Sequence, residues 1–232
     1  RLMTQHRPID AVPWGAEDPQ EDEVGLARLT MDTNMAGIAF PQNYPRHFRR
    51  AVLNSSLEFE QTLLQFTRLT WLHEGAGKTH LVIKNSAHTA RIALLLRLFP
   101  RARFVYLHRQ PIDSVRSLVQ VKQRLAHLVG LQEPPSSLRQ VEETVAAHDQ
   151  LLDAFARSRH LIPKGQLVEI AYDDLVQSPL ITLQRIYSAL EISGWGSARD
   201  AIAARIAKGR AYQAEPVVLD PEAEQLLQEL LS

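Results

Sequence analysis

The chain has 232 residues, 45% of them hydrophobic, and none is cysteine, which excludes disulfides, thiolate metal sites and cysteine nucleophiles and fits a reducing, cytoplasmic setting. Its 26 basic and 26 acidic residues cancel, which argues against nucleic-acid partners, and the longest wholly apolar run, IALLL at 92–96, is too short to span a bilayer. A chain of this size buries about 70% of the surface it exposes when unfolded, enough for one compact domain.

Residues 1–45 are rich in Pro, Gly, Asn and acids and predict loops around one or two short helices, one within DEVGLARLTM at 22–31. Residues 46–72 predict helix, with Phe59, Leu63, Phe66 and Leu72 near helical spacing. HEGAGKTHLVIKNS follows at 73–86, and its Gly77-Lys78-Thr79 matches the tail of a phosphate loop. Such a loop needs a strand before it and a helix after it, so that backbone N–H groups and a helix N-terminus face the anion. Here a helix comes first, a strand is expected next, and Leu72 stands where the pattern requires glycine. Gly75 and Gly77 therefore read as a helix stop and a turn.

HLVIK (80–84), TARIALLLRLF (89–99) and RFVYLHR (103–109) predict strand, helix and strand in one βαβ unit, with both strands parallel and buried on both faces. Pro111 opens the helix PIDSVRSLVQVKQRLAHL, and QEPPSS (132–137) is a loop. Ser137 and Gln140 predict a capping box for a helix to about Arg157, amphipathic through Val141, Val145, His148, Leu152 and Phe155. QLVEIAY (166–172) predicts a third strand, and helices follow in LITLQRIYSAL, DAIAARIAK and PEAEQLLQELL. The pattern predicts an α/β fold, a three-layer α/β/α domain with a small central parallel sheet. It is organised as a loop-rich segment 1–45, a βαβα core 80–127, a helical insertion 128–164, and a C-terminal strand and helices 165–232.

In an open parallel sheet, ligands bind outside the carboxyl ends of the strands. Those ends carry Lys84-Asn85-Ser86, His108-Arg109-Gln110-Pro111 and Tyr172-Asp173-Asp174. Arg109 ends a strand and Ser117 lies about two turns into the next helix, so a guanidinium, helix N–H groups and a hydroxyl can share an anion. The competing reading pairs Arg109 with Asp113. Residues 84–139 hold ten Lys/Arg against Asp113 and Glu133, a net +8 that is either a solvated face or an anion site.

LVIKNSAHTARIALLLRLFPRARFVYLHRQPIDSVRSLVQ resembles the central segment of sulfotransferases that use 3′-phosphoadenosine 5′-phosphosulfate (PAPS): a strand ending in Lys, a helix, an F-P-x-A-x-F entry to the next strand, then R-[DNQ]-P with Ser eight residues after the Arg. YDDLVQSPLITLQRIYSALEI is similar to that family's later Y-[ED]-[ED]-L segment, and PWGAEDPQEDEVGLARL to a segment of its bacterial members. The resemblance implies a P-loop-NTPase-like sulfotransferase fold and sulfuryl transfer from PAPS to a hydroxyl or amine on a small-molecule or peptide acceptor, without a metal. It implies that Arg109 and Ser117 bind the donor's 3′-phosphate, that Tyr172 lines the nucleotide pocket, and that Lys84 stabilises charge growing on the bridging oxygen.

Two departures bear on activity. The family opens with a strand and a [KR]-S-G-[TS]-[TS] loop for the 5′-phosphosulfate, and no such loop occurs in these residues, so the expectation is an N-terminally truncated or degenerate member. That expectation is a chain that binds the product nucleotide weakly, transfers no sulfate and self-associates through uncovered apolar surface. The second departure concerns the base: where cytosolic relatives place His, two residues after the Lys, this chain has Ser86, which leaves His88 as the candidate, with Glu21, Asp22 and Glu23 as a weaker option. The alternative function is a non-catalytic domain that binds an adenine nucleotide or a protein. No H-E-x-x-H, G-x-S-x-G or paired-carboxylate signature points to a hydrolase.

Overall fold

The computed structural model describes residues 18–209 and 216–232, with Arg7, Ile9, Val12 and Gly15 before them. Three short helices come first, α1 (Asp22–Leu26), α2 (Met35–Ala39) and α3 (Tyr44–Phe48), and then the long α4 (Leu57–Glu74). A 3₁₀ turn at Ser86–Ala90 leads to α5 (Ile92–Leu98), β1 (Phe104–His108), α6 (Pro111–Val129), α7 (Ser137–Ser158) and β2 (Leu167–Ala171). The chain ends in α8 (Tyr172–Gln177), α9 (Pro179–Ala189), α10 (Trp195–Gly209) and α11 (Pro221–Leu230).

Local chemistry sets the helix ends. The Ser56 hydroxyl accepts from the Phe59 amide at 3.1 Å and starts α4. The helix stops at Gly75, where a Cβ would lie 2.4 Å from the Trp71 carbonyl oxygen, and the chain turns at Gly77 with φ of 71°. Lys78 reaches back to Glu74 at 3.5 Å, so the sequence that mimics a phosphate loop is a surface helix end. For α7 the cap is Ser136, one residue before the expected Ser137. Gln140 does not complete a capping box, since its Nε2 donates to the Pro135 carbonyl at 2.8 Å. The helix expected over 46–72 is interrupted at Asn54–Ser56, because α3 passes into a π-helical stretch, Arg49–Leu53, that ends at Asn54.

β1 and β2 pair in parallel, from Phe104 opposite Leu167 to His108 opposite Ala171. On one face Tyr106 stacks on Phe155 of α7, with ring centroids 4.2 Å apart. On the other, Val168 and Ile170 pack with Ile186 and Leu190 from α9 and the residue after it. The small sheet thus lies between helices. Two expectations fail here. Residues 80–84 carry the apolar pattern of a strand but form no sheet pairing, and Val82 is 88% exposed. A strand exists through its neighbour's backbone, and β1 pairs with β2 on one side and with no strand on the other among the described residues. Nor is β1 buried on both faces: Val105 and Leu107, aligned with Val168 and Ile170, are exposed because the α9 cluster covers only the β2 side. No described helix is long and apolar enough to cross a membrane.

Candidate active site

Five residues from α1 and the 3₁₀ turn make a nearly sealed polar cluster. Glu23 accepts two bonds from the Arg91 guanidinium, at 2.9 and 3.2 Å, one from the Asn34 amide at 2.6 Å and one from the Asn85 side chain at 2.7 Å. Asp22 accepts from Asn85 Nδ2 at 2.7 Å and from His88 Nε2 at 2.9 Å. Arg91 also donates to the Ala51 carbonyl at 2.9 Å and lies 4.3 Å from the centroid of the Phe59 ring. Burial alone pushes both carboxyls up. Hydrogen bonds from His88 and Asn85, with the charges around them, outweigh it at Asp22, and the Arg91 bonds and charge outweigh it at Glu23, so both sit below the ordinary carboxylate range.

The same contacts fix His88. A guanidinium only donates, so the 3.2 Å contact from Arg91 makes His88 Nδ1 an acceptor and places the ring proton on Nε2, toward Asp22. Both nitrogens are used and the side chain is 12% exposed. His88, the base candidate, is thus held inside the cluster in this structure, with Arg91 on one ring nitrogen and Asp22 on the other. Lys84 stands differently: its ammonium pairs with Glu21 and its side chain is 77% exposed, against 36% for Glu21.

Arg109 and Tyr172 follow the paired ends His108 and Ala171, and the parallel register brings them together. The Arg109 guanidinium carbon lies 4.9 Å from the centroid of the Tyr172 ring. Asp113 pairs with Arg116 at 3.0 Å, and no carboxylate pairs with Arg109 among the described residues. Much of the local positive charge is already matched: Lys84, Arg91, Arg97, Arg116 and Arg139 meet Glu21, Glu23, Glu60, Glu224 and Glu143. Lys122 is buried, 3.0 Å from the Thr144 hydroxyl and 3.4 Å from the centroid of the Tyr44 ring. Arg109 is one of several bases of this segment without a carboxylate among the described residues, and what sets it apart is the Tyr172 ring it lies over at the carboxyl ends of the two strands. Ser117 is half-buried two turns into α6, which begins at Pro111 with no side-chain cap on its amides. No hydrogen bond or ring contact joins the Lys84–His88 group to the Arg109–Tyr172 group among the described residues.

A family model described as "Sulfotransferase family" matches residues 3–196. The chain belongs to the sulfotransferase family. Omega-hydroxy-beta-dihydromenaquinone-9 sulfotransferase Stf3 of Mycobacterium tuberculosis is 27% identical over 194 residues, which cover 82% of this chain and 49% of that protein. The Mycobacterium bovis protein of the same name matches equally. The crystal structure of sulfotransferase STF9 from Mycobacterium avium superposes with a TM-score of 0.66 at 18% identity, over 94% of this chain and 48% of that one. The fold is thus the α/β sulfotransferase fold, and the chain spans about half the length of the relatives it matches.

The buried cluster was not foreseen as a unit. Three successive acids ahead of a short apolar-periodic helix read as ordinary helix-start residues. The signal available was Arg91, a lone charge opening the apolar run IALLL, which demands a buried partner.

Proposed function

We propose that this chain transfers a sulfuryl group from PAPS to a hydroxyl or amine acceptor. The observation that carries the reading is Arg109: a guanidinium without a carboxylate among the described residues, stacked on Tyr172 at the carboxyl ends of two parallel strands, beside the start of α6, which has no side-chain cap. A 3′-phosphate there gains a charge-assisted pair with Arg109, the amides of the first turn of α6 and the Ser117 hydroxyl, while the adenine ring lies against Tyr172. Lys84 supplies positive charge for the bridging oxygen as the bond to sulfur breaks. Asp22, Asn85 and His88 position the backbone from which Lys84 projects. Stf3 is named for an omega-hydroxy substrate, which favours a hydroxyl over an amine acceptor.

The second reading, a non-catalytic domain that binds an adenine nucleotide or a protein, is supported by the outer edge of β1, which pairs with no strand among the described residues, and by the exposed Val105 and Leu107 beside it. Transfer of radiolabelled sulfate from PAPS to a panel of alcohols, phenols and amines separates the two. Labelled product supports transfer, and nucleotide binding without labelled product supports the second reading.

A further inference from the structure

We propose that Glu21 is the general base of this transfer, freed for that role when the donor's sulfuryl group takes Lys84 from it. The inference rests on the sulfuryl-transfer reading above and adds to it the group that receives the acceptor's proton.

Four acid–base side chains lie next to one another here, and three are spent. His88 has a partner on each nitrogen. Asp22 and Glu23 accept from His88, Asn85, Arg91 and the Asn34 amide, and both are buried. Glu21 has one side-chain partner among the described residues, the Lys84 ammonium, and keeps an exposed surface. It can meet a substrate without breaking the cluster.

Exposed side chains are normally poorly placed for chemistry, and here the neighbouring residues remove that objection. Asn85, which follows Lys84, donates at 2.7 Å both to Asp22, which follows Glu21, and to Glu23. Its own Oδ1 accepts from the Ala87 amide at 2.9 Å and starts the 3₁₀ turn. Arg91 then ties Glu23 to the Ala51 carbonyl. The two backbones from which Glu21 and Lys84 project are therefore fastened to each other by partly buried bonds, while the reactive ends face outward. Both side chains need only a rotamer change to exchange partners.

The step balances. The acceptor oxygen forms a bond to sulfur as the bond from sulfur to the 5′-phosphate oxygen breaks, and that bond's electron pair stays on the phosphate, beside Lys84. The acceptor's O–H proton passes to the Glu21 carboxylate, which returns it to water through its exposed side. While Lys84 sits on it, the Glu21 carboxylate is occupied, so donor binding, by taking the ammonium, opens that carboxylate to the acceptor at the moment it is needed.

Glu21→Gln keeps the side chain's size and removes its basicity. In the full chain, transfer of radiolabel from PAPS to the alcohol panel should fall at least about 100-fold. PAPS should bind as well as before or up to about 5-fold tighter by calorimetry, since an exposed competitor for Lys84 is gone. Adenosine 3′-phosphate, which carries nothing for Lys84, should bind equally to both proteins. Glu21→Asp should retain part of the rate. Wild-type turnover in Glu21→Gln would overturn the proposal, as would a parallel loss of PAPS and adenosine 3′-phosphate binding, which marks a merely structural residue. A wild-type chain that binds PAPS and transfers nothing overturns it while leaving the nucleotide site standing. A chain that binds neither nucleotide removes both.

Discussion

The guanidinium of Arg109 lies over the ring of Tyr172, 4.9 Å from its centroid, and the two residues follow directly on paired positions of neighbouring parallel strands. The stack holds a fork of N–H donors at the sheet's carboxyl edge, and none of them meets a carboxylate among the described residues. Arg109→Lys should therefore not preserve nucleotide affinity, since an ammonium neither stacks as a plane nor offers a bidentate fork. A calorimetric titration with 3′-phosphoadenosine 5′-phosphate should show at least about half of the loss seen for Arg109→Ala, a loss of roughly 1.5 to 3 kcal/mol.

Lys84 should act on the transition state more than on the ground state, because its exposed ammonium has an alternative partner in Glu21 whenever donor is absent. Lys84→Ala should lower kcat by a much larger factor than it changes PAPS affinity, measured by initial rates beside calorimetry. Unchanged kcat would return Lys84 to the role of a solvated lysine.

Glu23 and Arg91 form a buried pair whose separation leaves an uncompensated charge. Glu23→Gln should cost about 3 to 5 kcal/mol and lower Tm by about 10 °C, read by urea and thermal denaturation. The same carboxylates give the protein an acid limit. Asp22 and Glu23 titrate lower in the folded protein than in the unfolded chain, so the unfolded chain takes up their protons first on acidification. Their stabilisation is complete above about pH 5 and is lost as the pH falls through about 4 and below. Urea midpoints across that range should drop steeply in the wild type and less in Glu23→Gln.

Lys122 adds a second rise of stability with pH, on the alkaline side, because it is the charged form that the fold disfavours. Burial pulls its ammonium down to about 8 from 10.5, with Glu143 opposing the shift only in part. Between those values the unfolded chain holds more protons than the folded one, so stability rises with pH across that window and is lower below it. Tyr44, pushed up by burial, stays neutral there. Lys122→Met should raise stability at pH 7 by at most about 3 kcal/mol, less the lost contacts to Tyr44 and Thr144, and should abolish the alkaline rise. Denaturant midpoints at pH 7 and 9.5 test both statements.

Much of this was legible in the sequence, and the failures share a cause. β1, β2 and the helices α6, α7 and α9 follow from periodicity, proline and apolar runs, because those signals are local. Arg109 and Tyr172 were placed at strand ends by the same means, and the parallel register then joined them. What could not be read was partnership across long separations. HLVIK has a strand's composition but no neighbouring strand to pair with among the described residues. Glu23 looked like a first-turn acid, and only the fold shows Arg91, 68 positions away, against it. The +8 of residues 84–139 likewise looked like an anion field until carboxylates outside the segment, four of them distant in sequence, were found on half of its bases.

The proposed site at Arg109 for the 3′-phosphate of an adenine nucleotide is tested by calorimetric titration of 3′-phosphoadenosine 5′-phosphate and of 5′-AMP into the wild type and Arg109→Ala. The bisphosphate should bind the wild type better than 5′-AMP does, and Arg109→Ala should remove this preference while leaving the weak 5′-AMP signal unchanged. Equal affinity of the wild type for the two nucleotides, or a preference that survives in Arg109→Ala, would contradict it.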